Sequence, residues 1–446
     1  MTRKLLSLAA ILGASALTLA GCAGSPESSG ASDTSGTTLT LRMWDETVAK
    51  SYEKSISAFE AENPEINVDI NIVPWTDYWT KLRQDVATKK ADDLFMVNAS
   101  SYSAYVDSGN LLDIGTTLGV NAKNAWEPSV VDQYTRNDKL WAVPQLYDAG
   151  IAVYYNADLL AAAEVNPEEL NDLTWSPDVE KDTYLPLAKK LTRDAAGVPV
   201  DVEGFDGTPV QYGTSLSNDG QAIILPFTGS NGGTFQDGDD FNFANAQTTE
   251  SVKYLVDAIN TSKVAPPAAE TNASGDYARD AFLEGRLATF QSGVYNLKNV
   301  SEGAAFKWGV AMLPAGPEGR VSVTNGVALA GNANADKDSQ PAIKKLLAWF
   351  GSTEGATFIG AEGSHIPAVT EAQKSFFDYW KKENVDVDPF FDVIKDNKTI
   401  PAFTGPKFES GAAAYKPIFD QIFAGQIEVR DGLKKAQDAG NAALAG

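Results

Sequence analysis

One cysteine and one histidine stand among 446 residues. A single thiol excludes an intrachain disulfide and any cysteine-based zinc site. A single imidazole excludes multi-histidine metal sites and leaves little scope for histidine-driven acid–base chemistry. Basic residues are scarce as well: 36 Lys and Arg face 59 Asp and Glu, a formal charge of −23. That balance argues against a nucleic-acid partner, which calls for basic clusters that displace counterions from phosphate. What the chain has in quantity is apolar residues (43%), including nine Trp, 15 Tyr and 20 Phe. Its length exceeds one compact core and suits two or three domains of a globular protein.

Met1–Gly21 has the make-up of an export signal. Arg3 and Lys4 form a basic start, and Leu5–Leu19 is apolar but too short and too rich in Ala, Ser and Gly for a membrane span. Leu19-Ala20-Gly21-Cys22 places small residues directly before the only cysteine. This resembles the lipobox of bacterial lipoproteins, which implies cleavage before Cys22 and a lipid anchor on its thiol; the competing reading is an ordinary signal peptide with an unrelated cysteine. Residues 22–36 are rich in Gly and Ser, cannot bury a core, and read as a flexible tether. The expected location is therefore extracytoplasmic, on the outer face of the bacterial cell membrane.

Beyond residue 36 the hydrophobic period switches repeatedly between two and about 3.6. Leu39, Leu41 and Met43 alternate as a strand, and Val48, Tyr52, Ile56 and Phe59 follow at helical spacing until Asn63-Pro64 stops them. Ile66–Ile72 alternates again, Trp75, Trp79, Leu82 and Val86 mark a second helix with Trp79 on its core stripe, and Leu94–Val97 is a short buried strand. Crossovers of this length predict a mainly parallel sheet flanked by helices. A second series opens with Ile151, Val153 and Tyr155, and strands at 287–290 and 326–329 alternate with helices at 248–259, 277–285, 340–351 and 353–359. The tail from Glu371 reads as mostly helical.

Several stretches, in this order, carry a family resemblance: Leu39-Thr-Leu-Arg-Met-Trp-Asp45, Phe59-Glu-Ala-Glu-Asn-Pro-Glu-Ile66, Ala91-Asp-Asp-Leu-Phe-Met-Val97, Leu140-Trp-Ala-Val-Pro144 with Val153-Tyr-Tyr-Asn-Ala-Asp-Leu159, Phe282-Leu-Glu-Gly-Arg-Leu-Ala288, Ala348-Trp-Phe-Gly-Ser-Thr-Glu-Gly355 and Gly363-Ser-His-Ile-Pro-Ala368. Together they resemble the carbohydrate-binding family of extracellular solute-binding proteins of bacterial ABC importers, the family that includes maltose-binding protein. The resemblance implies an α/β fold of two lobes joined by a multi-crossing hinge, each lobe a mainly parallel sheet flanked by helices. One lobe would take 37–146 and 329–371, the other 147–328 and 372–446. It also implies a monomer that uses no cofactor, closes over an oligosaccharide, and delivers it unchanged to the transmembrane permease subunits.

A sugar has apolar faces and a rim of hydroxyls, so flat aromatic rings and carboxylates or amides at strand ends are the residues to seek. Trp44 and Asp45 follow the first strand, as platform and acceptor or as a buried ring beside a helix cap. Trp75 follows the second strand, and Asn98 and Tyr102 follow the third; a helix cap and a core tyrosine are the alternatives for that last pair. Tyr147 and Asp148 lie at the first expected hinge crossing, where the resemblance implies a carboxylate on the sugar. From the second lobe come Asp219, Gln221 and Asn231; the Asn231-Gly-Gly run is first of all a turn. Tyr295 is the platform the resemblance implies there, and Asn325 and Gly326 mark the next crossing. His365 precedes Ile366-Pro367 in a loop the family brings toward its ligand, and Phe403 is a further platform candidate. Two other functions fit these residue types: an anchored glycoside hydrolase, because paired carboxylates and aromatic platforms also build glycosidase clefts, and a binder of a non-sugar solute such as a polyamine, which would suit the negative charge.

Overall fold

The computed structural model describes residues 36–395 and 398–445. The expected export signal, Cys22 and nearly all of the tether lie outside the described residues. Among the described residues no helix is long and apolar enough to cross a membrane.

Nine strands form the two main sheets: β1 (Thr37–Met43), β2 (Ile66–Ile72), β3 (Leu94–Asn98), β4 (Val143–Asp148), β5 (Ile151–Asn156), β6 (Thr289–Gly293), β7 (Trp308–Ala311), β8 (Asn325–Gly331) and β9 (Ile366–Pro367). The first sheet runs β9-β4-β8-β3-β1-β2 and the second β6-β5-β7. β1 pairs in parallel with β2 and with β3. β8 is antiparallel to β3 and β4, and β9 is antiparallel to β4.

The second sheet departs from the parallel expectation: β5 is antiparallel to both β6 and β7. β6 and β7 themselves run the same way, joined across the helix Leu297–Gly303, so that crossover follows the rule for parallel strands. β5 comes directly from β4 and inserts between them. Periodicity marks a strand but carries no information on which neighbour it will meet or in which direction.

Helix α1 (Glu46–Glu62) shows how local sequence sets the elements. Asp45 caps it, accepting from Thr47 N at 2.7 Å and Val48 N at 2.9 Å, and Val48, Tyr52, Ile56 and Phe59 are its buried stripe. Burying each such side chain contributes about 1.5–3 kcal/mol. Helix α2 (Trp75–Ala87) buries Tyr78, Leu82 and Val86. Trp79, expected on that stripe, is half-buried instead, one residue (about 100°) round the helix from the face that Tyr78 occupies.

The molecule is two-lobed, each lobe with its own apolar interior. One core joins Leu41, Phe95 and Val143 to Leu329, Ile343 and Phe350. The other lobe is built on Trp175, Phe227, Leu255 and Phe419 and on a second cluster of Tyr154, Phe282, Phe290 and Trp380. The chain passes between them from β4 to β5 and returns at β8. At the return, a Cβ on Gly326 would lie 2.6 Å from Val130 Cγ1, so only glycine allows the helix Pro128–Gln133 to pack on that crossing.

Candidate ligand-binding site

One edge of the first sheet collects most of the chemistry. In strand order it presents His365 before β9, Asp148 at the end of β4, Asn325 at the start of β8, Asn98 at the end of β3, Trp44-Asp45 after β1, and Trp75 after β2. These are the carboxyl ends of its parallel strands, where open α/β sheets place ligands.

At the β4 end polar atoms are buried and short of partners. Asp148 is 8% exposed, and its Oδ1 has no hydrogen-bond partner. Burial pushes its carboxyl up to about 7, because a desolvated charge has nothing to offset the loss of water. Asn325 is its cross-strand neighbour; the amide Nδ2 donates to Gln221 Oε1 at 3.4 Å, and Oδ1 has no partner. His365 is 6% exposed with an unpartnered Nδ1. Burial holds its ring down to about 4, against a weaker upward pull from Asp45. Tyr147 is raised to about 12, first by burial and then by the Glu127 carboxylate.

The second lobe meets this edge through two turns. Asp219 caps the π-helical turn Gly220–Ile224, accepting from Ala222 N at 2.7 Å, and burial raises its carboxyl. Tyr295 lies in the single turn Val294–Asn296 after β6. Its hydroxyl is held well above the usual tyrosine value by burial, with Asp219 and Asp148 both adding to the shift, so one ring stands near both carboxylates. Gln291, on β6, is a residue that strand-end reasoning missed. It is 3% exposed, its Nε2 donates to Ala222 O at 2.6 Å, and its Oε1 has no partner. A glutamine directly after Phe290 in an apolar strand was the available signal. Thr47 was missed as well: its hydroxyl donates to Asn299 Oδ1 at 3.1 Å, joining the start of α1 to the other lobe.

At the β1–β2 end the edge is aromatic. Trp44 contacts Trp75 at 5.3 Å, Tyr78 at 5.0 Å and Trp79 at 5.4 Å between ring centroids, the first two edge-to-face, the arrangement favoured by ring quadrupoles. Tyr78 anchors the group by donating to Met96 O at 2.8 Å, whereas Trp75 is 48% exposed.

Other candidates are already engaged within the fold. Asn231 Nδ2 donates to Gln247 O at 3.0 Å and Glu250 Oε2 at 2.9 Å, which ties it to the following helix. Tyr102 is buried against Tyr134 at 5.0 Å, and Asn98 Oδ1 accepts from Ser100 Oγ at 3.1 Å. The Gly326 carbonyl accepts from Tyr134 Oη at 2.7 Å. Phe403 stacks on Phe408 at 5.2 Å and supports Gly220, where a Cβ would lie 2.7 Å from its ring. A small cavity of about 10 Å³ lined by Val153, Leu170 and Tyr184 belongs to the second-lobe interior and touches none of these polar atoms. Among the described residues no group of three His, Cys, Asp or Glu could hold a metal ion.

The lobe junction thus offers unpartnered acceptors, no lysine or arginine among the candidates, and an aromatic wall along the same edge. Such a site suits a ligand that donates hydrogen bonds and carries apolar faces.

Known proteins share this architecture. The family model for bacterial extracellular solute-binding proteins matches residues 44–357. The crystal structure of UspC from M. tuberculosis is 48% identical, covering 91% of this chain and 100% of that one with a TM-score of 0.72. An ABC substrate-binding protein from Listeria monocytogenes, solved in complex with cycloalternan, shares the fold at 20% identity and a TM-score of 0.77, over 92% of this chain and 99% of that one. A putative binding protein of Brucella abortus is 24% identical over 397 residues, 88% of this chain and 89% of its own. The chain belongs to the bacterial extracellular solute-binding proteins, which bind their solutes outside the cytoplasm and are not enzymes.

Proposed function

We propose that this protein is the capture component of a carbohydrate ABC importer. It takes an oligosaccharide into the cleft between its lobes and hands it, chemically unchanged, to the transmembrane permease subunits. The chain works as a monomer tethered to the outer face of the cell membrane through a lipid on Cys22, with lobes of 37–146 plus 329–371 and 147–328 plus 372–446. The observation that carries the reading is the trio of buried acceptors without partners: Asp148 Oδ1, Asn325 Oδ1 and Gln291 Oε1. A buried polar atom left unpaired costs about 1–3 kcal/mol, and sugar hydroxyls would satisfy all three. Trp44, Trp75 and Tyr295 would stack on ring faces, and Asp45, Asp219, Gln221 and His365 would line the rim. The Listeria monocytogenes protein, which has this fold, holds the oligosaccharide cycloalternan.

A thermal-shift and calorimetric screen of di- to tetrasaccharides, with spermidine alongside, tests the reading. A binding sugar raises the unfolding midpoint, further with the logarithm of its concentration above its Kd, and is recovered intact after long incubation. Absence of any sugar response together with a response to spermidine would favour the polyamine reading, which the acceptor-rich, cation-free junction also accommodates.

A further inference from the structure

Asp148 is enclosed without a donor or a cation. Next to it on its own strand, Tyr147 feels the Glu127 carboxylate, to which Ser129 Oγ donates at 3.4 Å. From β8 comes Asn325, whose amide is turned to Gln221. On the other side of β4, in the register that pairs Ile366 with Tyr147, comes His365, on which Asp45 at the start of α1 acts. Tyr134 follows the helix Pro128–Gln133, but its hydroxyl is taken by Val97 O at 2.8 Å and Gly326 O at 2.7 Å. Tyr154 on β5 donates to Gly293 O at 2.8 Å. From the second lobe come Tyr295 and, beside it, Asp219. Among the described residues no lysine or arginine acts on Asp148; burial alone shifts its carboxyl, to about 7.

We propose that ligand binding is coupled to loss of a proton from Asp148: the free protein holds this carboxyl protonated, a donor group of the ligand takes the place of that proton, and the proton passes to solvent. The identity of the ligand rests on the carbohydrate reading above; the protonation of the free protein does not. A hydroxyl donating to Oδ1 favours the charged carboxylate and lowers its pKa. In the pH interval between the bound and free values the complex holds fewer protons than the free protein, so association strengthens as pH rises. It levels off once the free carboxyl is itself ionised, above about 7. For a group titrating near 7 the ionised fraction rises about tenfold between pH 6 and pH 8, and the association constant rises by the same factor.

Two measurements on the full chain test the coupling. The first follows thermal unfolding of the ligand-free wild type and Asp148→Asn from pH 5 to 9. The folded-state pKa lies above the unfolded one, so the wild type should lose stability relative to the variant as pH rises from 5 to about 7 and run parallel to it above that. A pH-independent difference overturns the proposal. Should the asparagine variant fail to fold, Asp148→Ser makes the same comparison with a smaller uncharged side chain. The second is calorimetry with maltotriose near pH 6.5 in phosphate and in imidazole. The expected result is a buffer-dependent enthalpy with the sign of proton release, absent in Asp148→Asn, and about tenfold tighter binding at pH 8 than at pH 6. Proton uptake, or an enthalpy that ignores the buffer, overturns it. Maltotriose that binds at neither pH counts against the carbohydrate reading, and the ligand-free titration then decides the proton.

Discussion

The two ends of the first sheet's edge solve opposite problems. At the β4 end Asp148 and His365 are deeply buried and Asn325 half-buried, and each keeps a buried polar atom without a partner. At the β1–β2 end Trp44, Trp75 and Trp79 are partly exposed yet contact one another. Stability alone would favour the reverse, with polar groups wet and large rings dry. The inversion is what the proposed binding cleft would require: polar groups held rigid and unsatisfied until a ligand arrives, and rings whose open faces cost little while they wait. Strain of this kind is expected to concentrate at functional sites.

Substitutions at each end test that contrast. The largest effect should come at the polar end. Asp148→Ala removes a charge-assisted acceptor worth about 1.5–3 kcal/mol, so affinity for the cognate sugar should fall about 10- to 100-fold by calorimetry; an unchanged affinity removes Asp148 from the site. Tyr134→Phe leaves two buried carbonyls, of Val97 and Gly326, without their shared donor. It should destabilise the chain by about 2 kcal/mol in urea unfolding, with no effect at the aromatic end.

His365→Gln probes the same end through pH. The folded ring titrates at about 4 against 6.5 for the free side chain, so the wild type's stability is present above 6.5 and is lost as pH falls toward 4. The variant should show a flatter acid limb in thermal unfolding between pH 6.5 and 4; parallel curves would mean that the ring is not held neutral. Trp75→Ala, at the half-exposed end, should change stability by less than about 1 kcal/mol. It should still reduce the tryptophan fluorescence change on sugar binding, and a full response in the variant would exclude Trp75 as a platform.

The sequence revealed these two ends unequally. Trp44 was legible because alternation locates β1 and the next residue is read directly, whereas Asp148 and Asn325 came into view through the hinge crossings that the family resemblance implies. Asp45 was legible in its capping role because a cap is a local signal. Gln291 and the Thr47–Asn299 contact were not, since each acquires meaning only when distant segments meet. Trp79 was assigned to the core because Leu82 and Val86 share its helical spacing; they share it with Tyr78 as well, and Tyr78 has a backbone acceptor in Met96. Asn231 lay in a turn of the right kind, and the side chain that ties it down, Glu250, comes from the next helix. Strand direction in the second sheet depended on β5 entering between β6 and β7, a fact of assembly with no local trace.

Carbohydrate capture stands or falls on whether the buried acceptors at the β4 end are the ligand's contact points. A crystal structure with the tightest oligosaccharide from the screen tests it most directly. Sugar hydroxyls should lie within hydrogen-bonding distance of Asp148 Oδ1 and Asn325 Oδ1, with a ring face against Trp44 or Trp75. A sugar bound elsewhere, with those two oxygens still lacking partners, would contradict it.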